Sequence, residues 1–143
     1  MNVVFVWKLT NWTKNSDGRL PEFIAQQIAS LDRLGLNVKI YTLKKKSDYF
    51  AFRKFHKFLK THKINLIHCH YGLTSIIGLF STKPLVLTFI GSDINNFKVN
   101  FLTSLISLSS KRRIFVSEEL KEKAIFKRYD DLVIPYGVDL ETF

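Results

Sequence analysis

Short apolar runs alternate with helical stripes along the whole chain. The runs fall at residues 3–7, 38–43, 66–70, 85–89, 113–116 and 132–134. Each is too short for a helix of ordinary length and is bounded by Gly, Pro, Asn, Asp or Ser, which predicts strands. They lack the in–out alternation of a half-exposed strand. Strands buried on both faces belong to parallel sheets covered by helices. Between the runs, apolar residues recur at helical spacing. Leu20, Phe23, Ile24, Ile28, Leu31 and Leu34 form one stripe, opened by Pro21 and stopped by Gly35. Phe52, Phe55, Phe58 and Leu59 form a second, within 50–63. A short helix is expected over 73–80. Another is expected over 98–109, with Val99, Leu102, Leu105 and Ile106 turned inward. A last one is expected over 118–129, where Ser117 is a good N-cap and Glu118 and Glu119 suit the positive helix end. The fold class predicted is α/β, a three-layer Rossmann-like domain with a mainly parallel sheet of about six strands and right-handed crossovers.

Composition keeps that picture and adds a charge. The chain has 143 residues, enough for one domain with a real core, and 46% of them are hydrophobic. Lys and Arg number 22 against 12 Asp and Glu, a formal net charge of +10. A phosphate-bearing ligand, an anionic membrane surface, nucleic acid, or plain solubility would each account for that excess. Nucleic acid rests on charge alone and is set aside. The lysines and arginine at 53, 54, 57, 60 and 63 face away from the phenylalanine stripe of 50–63. That segment reads as a crossover helix with a solvated basic face, or as a basic amphipathic surface for anionic lipid. No run approaches the 18 apolar residues of a membrane-spanning helix.

Several chemistries are excluded. A single cysteine, Cys69, allows no internal disulfide. No zinc spacing occurs, so no metal is expected. His68 and His70 are assigned to opposite faces of their strand, which would keep them from chelating together. The dinucleotide fingerprint G-x-G-x-x-G and the P-loop are both absent. A phosphoacceptor receiver needs acidic residues after the first strand, where Trp7 and Lys8 stand.

What remains is a row of small and polar residues where the strands end, the edge at which open α/β sheets bind ligands. It comprises the loop to Gly18, then His70, Tyr71 and Gly72, then Gly91, Ser92 and Asp93, then Ser117 and Glu118, and last Tyr136, Gly137 and Asp139. Glycines let a ligand approach the backbone, and the polar residues suit a hydroxyl-rich molecule. The helix start behind Gly18 could receive a phosphate, or Gly18 could simply make the turn.

Four segments carry a family resemblance: I-H-C-H-Y-G-L at 67–73, K-P-L-V-L-T-F-I-G-S-D at 83–93, F-V-S-E-E-L at 115–120 and I-P-Y-G-V-D-L-E-T-F at 134–143. In that order and spacing they resemble the N-terminal domain of family 4 glycosyltransferases of the GT-B fold, over nearly the whole chain. The resemblance implies transfer of a sugar from a nucleotide diphosphate sugar, the co-substrate, with no metal or other cofactor. The acceptor would be a glycan or a lipid-linked sugar, in surface polysaccharide or glycolipid synthesis. His70, Tyr71, Gly72, Gly91, Ser92, Asp93, Ser117 and Glu118 would line the acceptor side, and Gly18 would lie near the donor diphosphate. The family often has histidine at the place of Ile90. The whole of 1–143 would be the acceptor-side domain. A C-terminal nucleotide-sugar domain, in cis or in trans, would supply the catalytic acid, and the chain alone would be inactive. The expected location is cytoplasmic, on the inner membrane face. The alternative is a non-catalytic module that docks on a membrane or a partner.

Overall fold

The computed structural model describes residues 1–8 and 20–137. Six strands form one parallel sheet: β1 (Asn2–Lys8), β2 (Asn37–Leu43), β3 (Leu66–His70), β4 (Leu85–Phe89), β5 (Arg112–Phe115) and β6 (Leu132–Val133), in the order β2-β1-β3-β4-β5-β6. The expected strand runs all appear, shifted by a residue or so at some ends. β1 lies between β2 and β3, with Val3 opposite both Val38 and Leu66. Val3 to Val6 are all buried, as an inner strand covered on both faces requires.

Alternate residues serve two separate cores. Helix α1 (Glu22–Arg33) covers one face, where Ile24, Phe23, Ile28 and Leu31 meet Val3, Phe5 and Trp7. α1 ends where the stripe ends. Gly35 takes φ +76°, and the Leu36 N–H reaches back to the Leu31 carbonyl at 3.0 Å. Helix α2 (Phe52–Thr61) covers the other face, with Phe55 and Leu59 packed on Val4, Val6, Ile67, Leu87 and Phe89. Its lysines stay outside, and its apolar side is spent on the core. Of the expected 50–63 helix, Phe50 instead closes a 3₁₀ segment (Lys46–Phe50), and Ala51 is the cap before the helix proper. Asp48 organises it, accepting from the Lys44 and Lys45 N–H groups at 2.7 and 2.9 Å.

The expected short helix is a 3₁₀ segment (Gly72–Gly78). Thr74 Oγ1 donates to the Tyr71 carbonyl at 2.7 Å and Ser75 Oγ to the Gly72 carbonyl at 2.6 Å. These hydroxyls reach carbonyls three residues back and favour the tighter winding.

Helix α3 (Phe97–Ser107) overturns its expected orientation. Asn100, Thr103, Ser104 and Ser107 point inward. Leu102 and Leu105, expected in the core, are exposed, and Val99 and Ile106 are only partly covered. The space on the inner side is too tight and too polar for leucine. A Cβ on Gly72 would fall 2.5 Å from Thr103 Cβ, so the Thr103 side chain packs directly on the Gly72 backbone. Asn100 Nδ2 donates to the Ile94 and Lys123 carbonyls at 3.0 and 2.9 Å, and Ser104 Oγ donates to Asn100 Oδ1 at 2.9 Å. Arg113, fully buried, pairs with Asp131 and donates from Nη1 to Ser107 Oγ at 3.1 Å. Each inward polar group is satisfied, as burial demands.

Helix α4 (Glu118–Lys123) is capped as expected, Ser117 Oγ accepting from the Leu120 N–H at 3.3 Å. It stops at Lys123 rather than reaching Tyr129, because Ala124 turns to extended backbone. Arg128 then fixes the return to β6 through Asp130 and the Ser110 carbonyl. Among the described residues no helix is long and apolar enough to cross a membrane.

Candidate functional site

Because every strand is parallel, every strand ends on the same rim. β3 delivers Tyr71 and Gly72 there, β4 delivers Ile90 to Asp93, and β5 delivers Ser117 and Glu118. Asp93 is the knot of this rim. Its Oδ1 accepts from the Ile90 and Gly91 N–H groups at 3.1 and 3.0 Å, and its Oδ2 from the Gly72 N–H at 2.7 Å. The carboxylate thus ties the β3 loop to the β4 loop. It is fully buried, and that burial raises its pKa against the lowering effect of the amides. Gly91 turns at φ +114°, a conformation that favours glycine. Tyr71 adopts φ +82° without being glycine, a strained state of the kind that persists where surroundings over-determine it.

The histidine assignment needs correction. Residues two apart on a strand share a face. The His68 and His70 rings therefore stack, with centroids 4.3 Å apart. Phe5 lies 4.9 Å from His68 and 4.7 Å from His70, and Trp7 lies 6.4 Å from His70. His68 Nε2 is hydrogen-bonded to Thr88 Oγ1 at 2.8 Å. Burial holds His68 down to about 4 and pushes His70 well below the usual range, with His68's charge a second cause. Both imidazoles are neutral at pH 7.

Among the described residues neither ring nitrogen of His70 has a hydrogen-bond partner, and the same is true of Trp7 Nε1, Gln27 Oε1 and Tyr136 Oη. All five atoms are buried, and they occupy one region. Phe23 joins them: its ring is 5.8 Å from Trp7 and 4.3 Å from Tyr136. Gln27 lies one turn further along α1. Phe23, Gln27 and Tyr136, with Thr88, line a trough of about 830 Å³ between α1 and the segment after β6. Burial raises the Tyr136 hydroxyl's pKa, and the Asp93 charge adds to this, which ties the trough to the rim.

The site residues expected from sequence divide by what they offer. His70, Tyr71, Gly72, Gly91, Ser92 and Asp93 come together on the ends of β3 and β4. Ser92 is exposed there and Tyr71 is half-buried, with Lys8 Nζ 5.7 Å from its ring centre. Asp93 and the amides of Gly72 and Gly91 are used up in holding the rim. Ser117 spends its hydroxyl on the α4 cap, and Glu118 is exposed 3.9 Å from Lys121. Ile90 packs into the core beneath α1, an apolar job that suits isoleucine. Gly18 and Asp139 lie outside the described residues. Gln27 escaped the sequence reading, since a glutamine between apolar stripe positions carries no signal of its own. Among the described residues no group of His, Cys, Asp or Glu could hold a metal ion.

No family model matches this chain, and no curated protein matches its sequence. In structure it is similar to a sucrose-phosphate synthase from Thermosynechococcus elongatus, with a TM-score of 0.61 and 12% identity. The match covers 98% of this chain and 90% of that one. The likeness is one of fold: a Rossmann-like α/β domain with a six-stranded, all-parallel sheet flanked by helices, matching a GT-B half domain.

Proposed function

We propose that this chain is the acceptor-side half of a glycosyltransferase. The observation that carries the reading is the set of unpaired buried atoms on His70, Trp7, Gln27 and Tyr136, gathered beside the trough at the strand-end rim. A buried polar atom left without a partner costs about 1–3 kcal/mol. A scaffold gains nothing from leaving several together. A hydroxyl-rich ligand would repay them, because each sugar hydroxyl both donates and accepts. The competing reading, a non-catalytic docking module, offers no use for these atoms.

The donor would be a nucleotide diphosphate sugar, bound mainly by a second domain in cis or in trans, with Gly18 near its diphosphate. The acceptor would be a glycan or a lipid-linked sugar, as in surface polysaccharide or glycolipid synthesis on the inner face of the cell membrane. The family 4 motifs favour this assignment. His70, Tyr71, Ser92 and Glu118 would face the acceptor. Asp93, Gly72, Gly91 and Ser117 would shape the rim that those groups stand on. No metal is required for binding a neutral acceptor.

Ligand-observed NMR with a panel of free and lipid-linked glycosides tests the binding claim. At least one should bind and shift the Trp7 indole N–H, and Gln27→Leu with Tyr136→Phe should abolish the shift. Absence of binding across the panel, or binding indifferent to those changes, would sink the reading. Incubation of the chain alone with nucleotide sugars should yield no product.

A further inference from the structure

We propose that the outward face of α3 is a docking surface for a bilayer that carries anionic headgroups. Phe97, Phe101, Leu105 and Leu108 follow one another at helical spacing, with Leu102 beside them. Phe97 is 76% exposed, Phe101 48%, Leu102 44%, Leu105 49% and Leu108 48%. Phe126, its ring 6.1 Å from Phe101, and Ile125 extend the patch past the helix. Clustered exposure of this kind marks an interaction site rather than scattered surface residues.

The helix cannot hide these side chains by rotating. Turning them inward would press phenylalanine against Gly72, where even one added carbon meets Thr103 at 2.5 Å. It would also strip Ser107 from the buried Arg113 and leave that guanidinium short of a partner. The polar inner face therefore locks the apolar face outward.

Charge decides the occupant. No acidic residue occurs between Asp93 and Glu118, the stretch that contains α3. Lys98 lies on the helix, Lys111 just past its end and Lys127 next to Phe126; all three are exposed, and none forms a salt bridge among the described residues. Of the acidic residues that come next, Glu118, Glu119 and Asp130 are ion-paired, and exposed Glu122, the one without an ion pair among the described residues, is flanked by Lys121 and Lys123. Two copies facing each other here would bring lysines together on a chain of net charge +10. An anionic headgroup layer complements the same lysines while its acyl boundary receives the Phe and Leu side chains. Helix α2, the basic segment singled out from sequence, buries its apolar side in the core and keeps only its charge for such a surface. The proposal uses no atom of the trough, so it survives or fails apart from the sugar-binding reading.

The test is co-sedimentation of the full chain with vesicles of phosphatidylcholine alone, or with about a third phosphatidylglycerol. Binding should appear with the anionic vesicles and weaken in high salt. Phe101→Ser and Leu105→Ser should each cut it by about tenfold or more. Both residues are exposed, and circular dichroism should show an unchanged fold. Lys98→Glu with Lys111→Glu is the second variant, and it should reduce the preference for anionic lipid. Failure to bind either vesicle, or binding that ignores all four substitutions, would overturn the proposal. So would a dimer in sedimentation equilibrium that Leu105→Ser dissociates, which would seat a second copy on this face.

Discussion

Lowering the pH should unfold this protein earlier than its carboxylates alone would dictate, because of the stacked pair His68 and His70. In the unfolded chain each imidazole titrates near 6.5; in the fold burial holds His68 near 4 and pushes His70 well below its usual range. Folded-state pKa values depressed in this way leave stability complete above about pH 6.5. It is lost as the pH falls from there through the folded values, since the unfolded state binds more protons in that window. Charging His68 in place costs about 3 kcal/mol on that basis. The second proton costs more, because it arrives 4.3 Å from the first ring and in the same apolar box. Domains hold only about 5–15 kcal/mol in total, so the loss is large. Asp93 acts in the opposite sense. Its raised pKa adds stability as the carboxyl protonates and offsets part of the loss. Asp48, Glu119 and Asp130, held low by their partners, act only below the ordinary carboxylate range, outside the histidine window. Urea unfolding at half-unit steps from pH 7.5 to 4.5 measures the slope. His70→Phe should flatten it by about half and leave the protein at least as stable at pH 7.5, since the ring it replaces has no polar partner. A midpoint constant from pH 7.5 to 5 would refute the reasoning, as would a slope unaltered in His70→Phe.

Other outcomes follow from the rim and from α3. Asp93→Ala should destabilise by about 3 kcal/mol in thermal or urea melts, because three amides lose their acceptor; Asp93→Asn, which loses one and sets N–H against N–H, should cost about 2. A fully stable Asp93→Ala would return that carboxylate to the list of free ligand contacts. Gly72→Ala should cost about 1–3 kcal/mol by overpacking. Thr103→Ser should not rescue it, since serine keeps the Cβ that clashes. Asp131→Asn should cost about 3–5 kcal/mol by stranding Arg113, and an apolar replacement of both partners should cost less than that single change.

The sheet was legible in the sequence because inner parallel strands must be apolar on both faces, and the runs that meet this are closed by turn residues. α1 and α2 were legible for the related reason that their stripes meet an apolar sheet. α3 was not. Its stripe is as regular as the others, but hydropathy ranks residues by their affinity for water and says nothing about what faces them. Here the facing surface is Gly72 backbone and a buried Arg113–Asp131 pair, contributed from both sides of the helix in sequence. The site was legible in part. Glycines and an aspartate at strand ends announced the rim, and the structure turned Asp93 into its tie. The polar cluster beside the trough was hidden, because Trp7 and His70 read as strand residues and Gln27 as helix surface. Their common property, buried polar atoms without partners, exists only once α1 has been laid across the sheet.

The contact between Gly72 and Thr103 has a mechanical consequence. Only the short, branched Thr103 side chain separates the two backbones, so there is little that is compliant between α3 and the β3 loop. A displacement of the helix by even half an ångström must be transmitted to Gly72, and through its 2.7 Å bond to Asp93 on to the β4 loop. A load on the outer surface of α3 and a ligand on the rim would then push on the same rigid strut. Whatever free energy one event spends in shifting it, reciprocity requires the other to feel in equal measure.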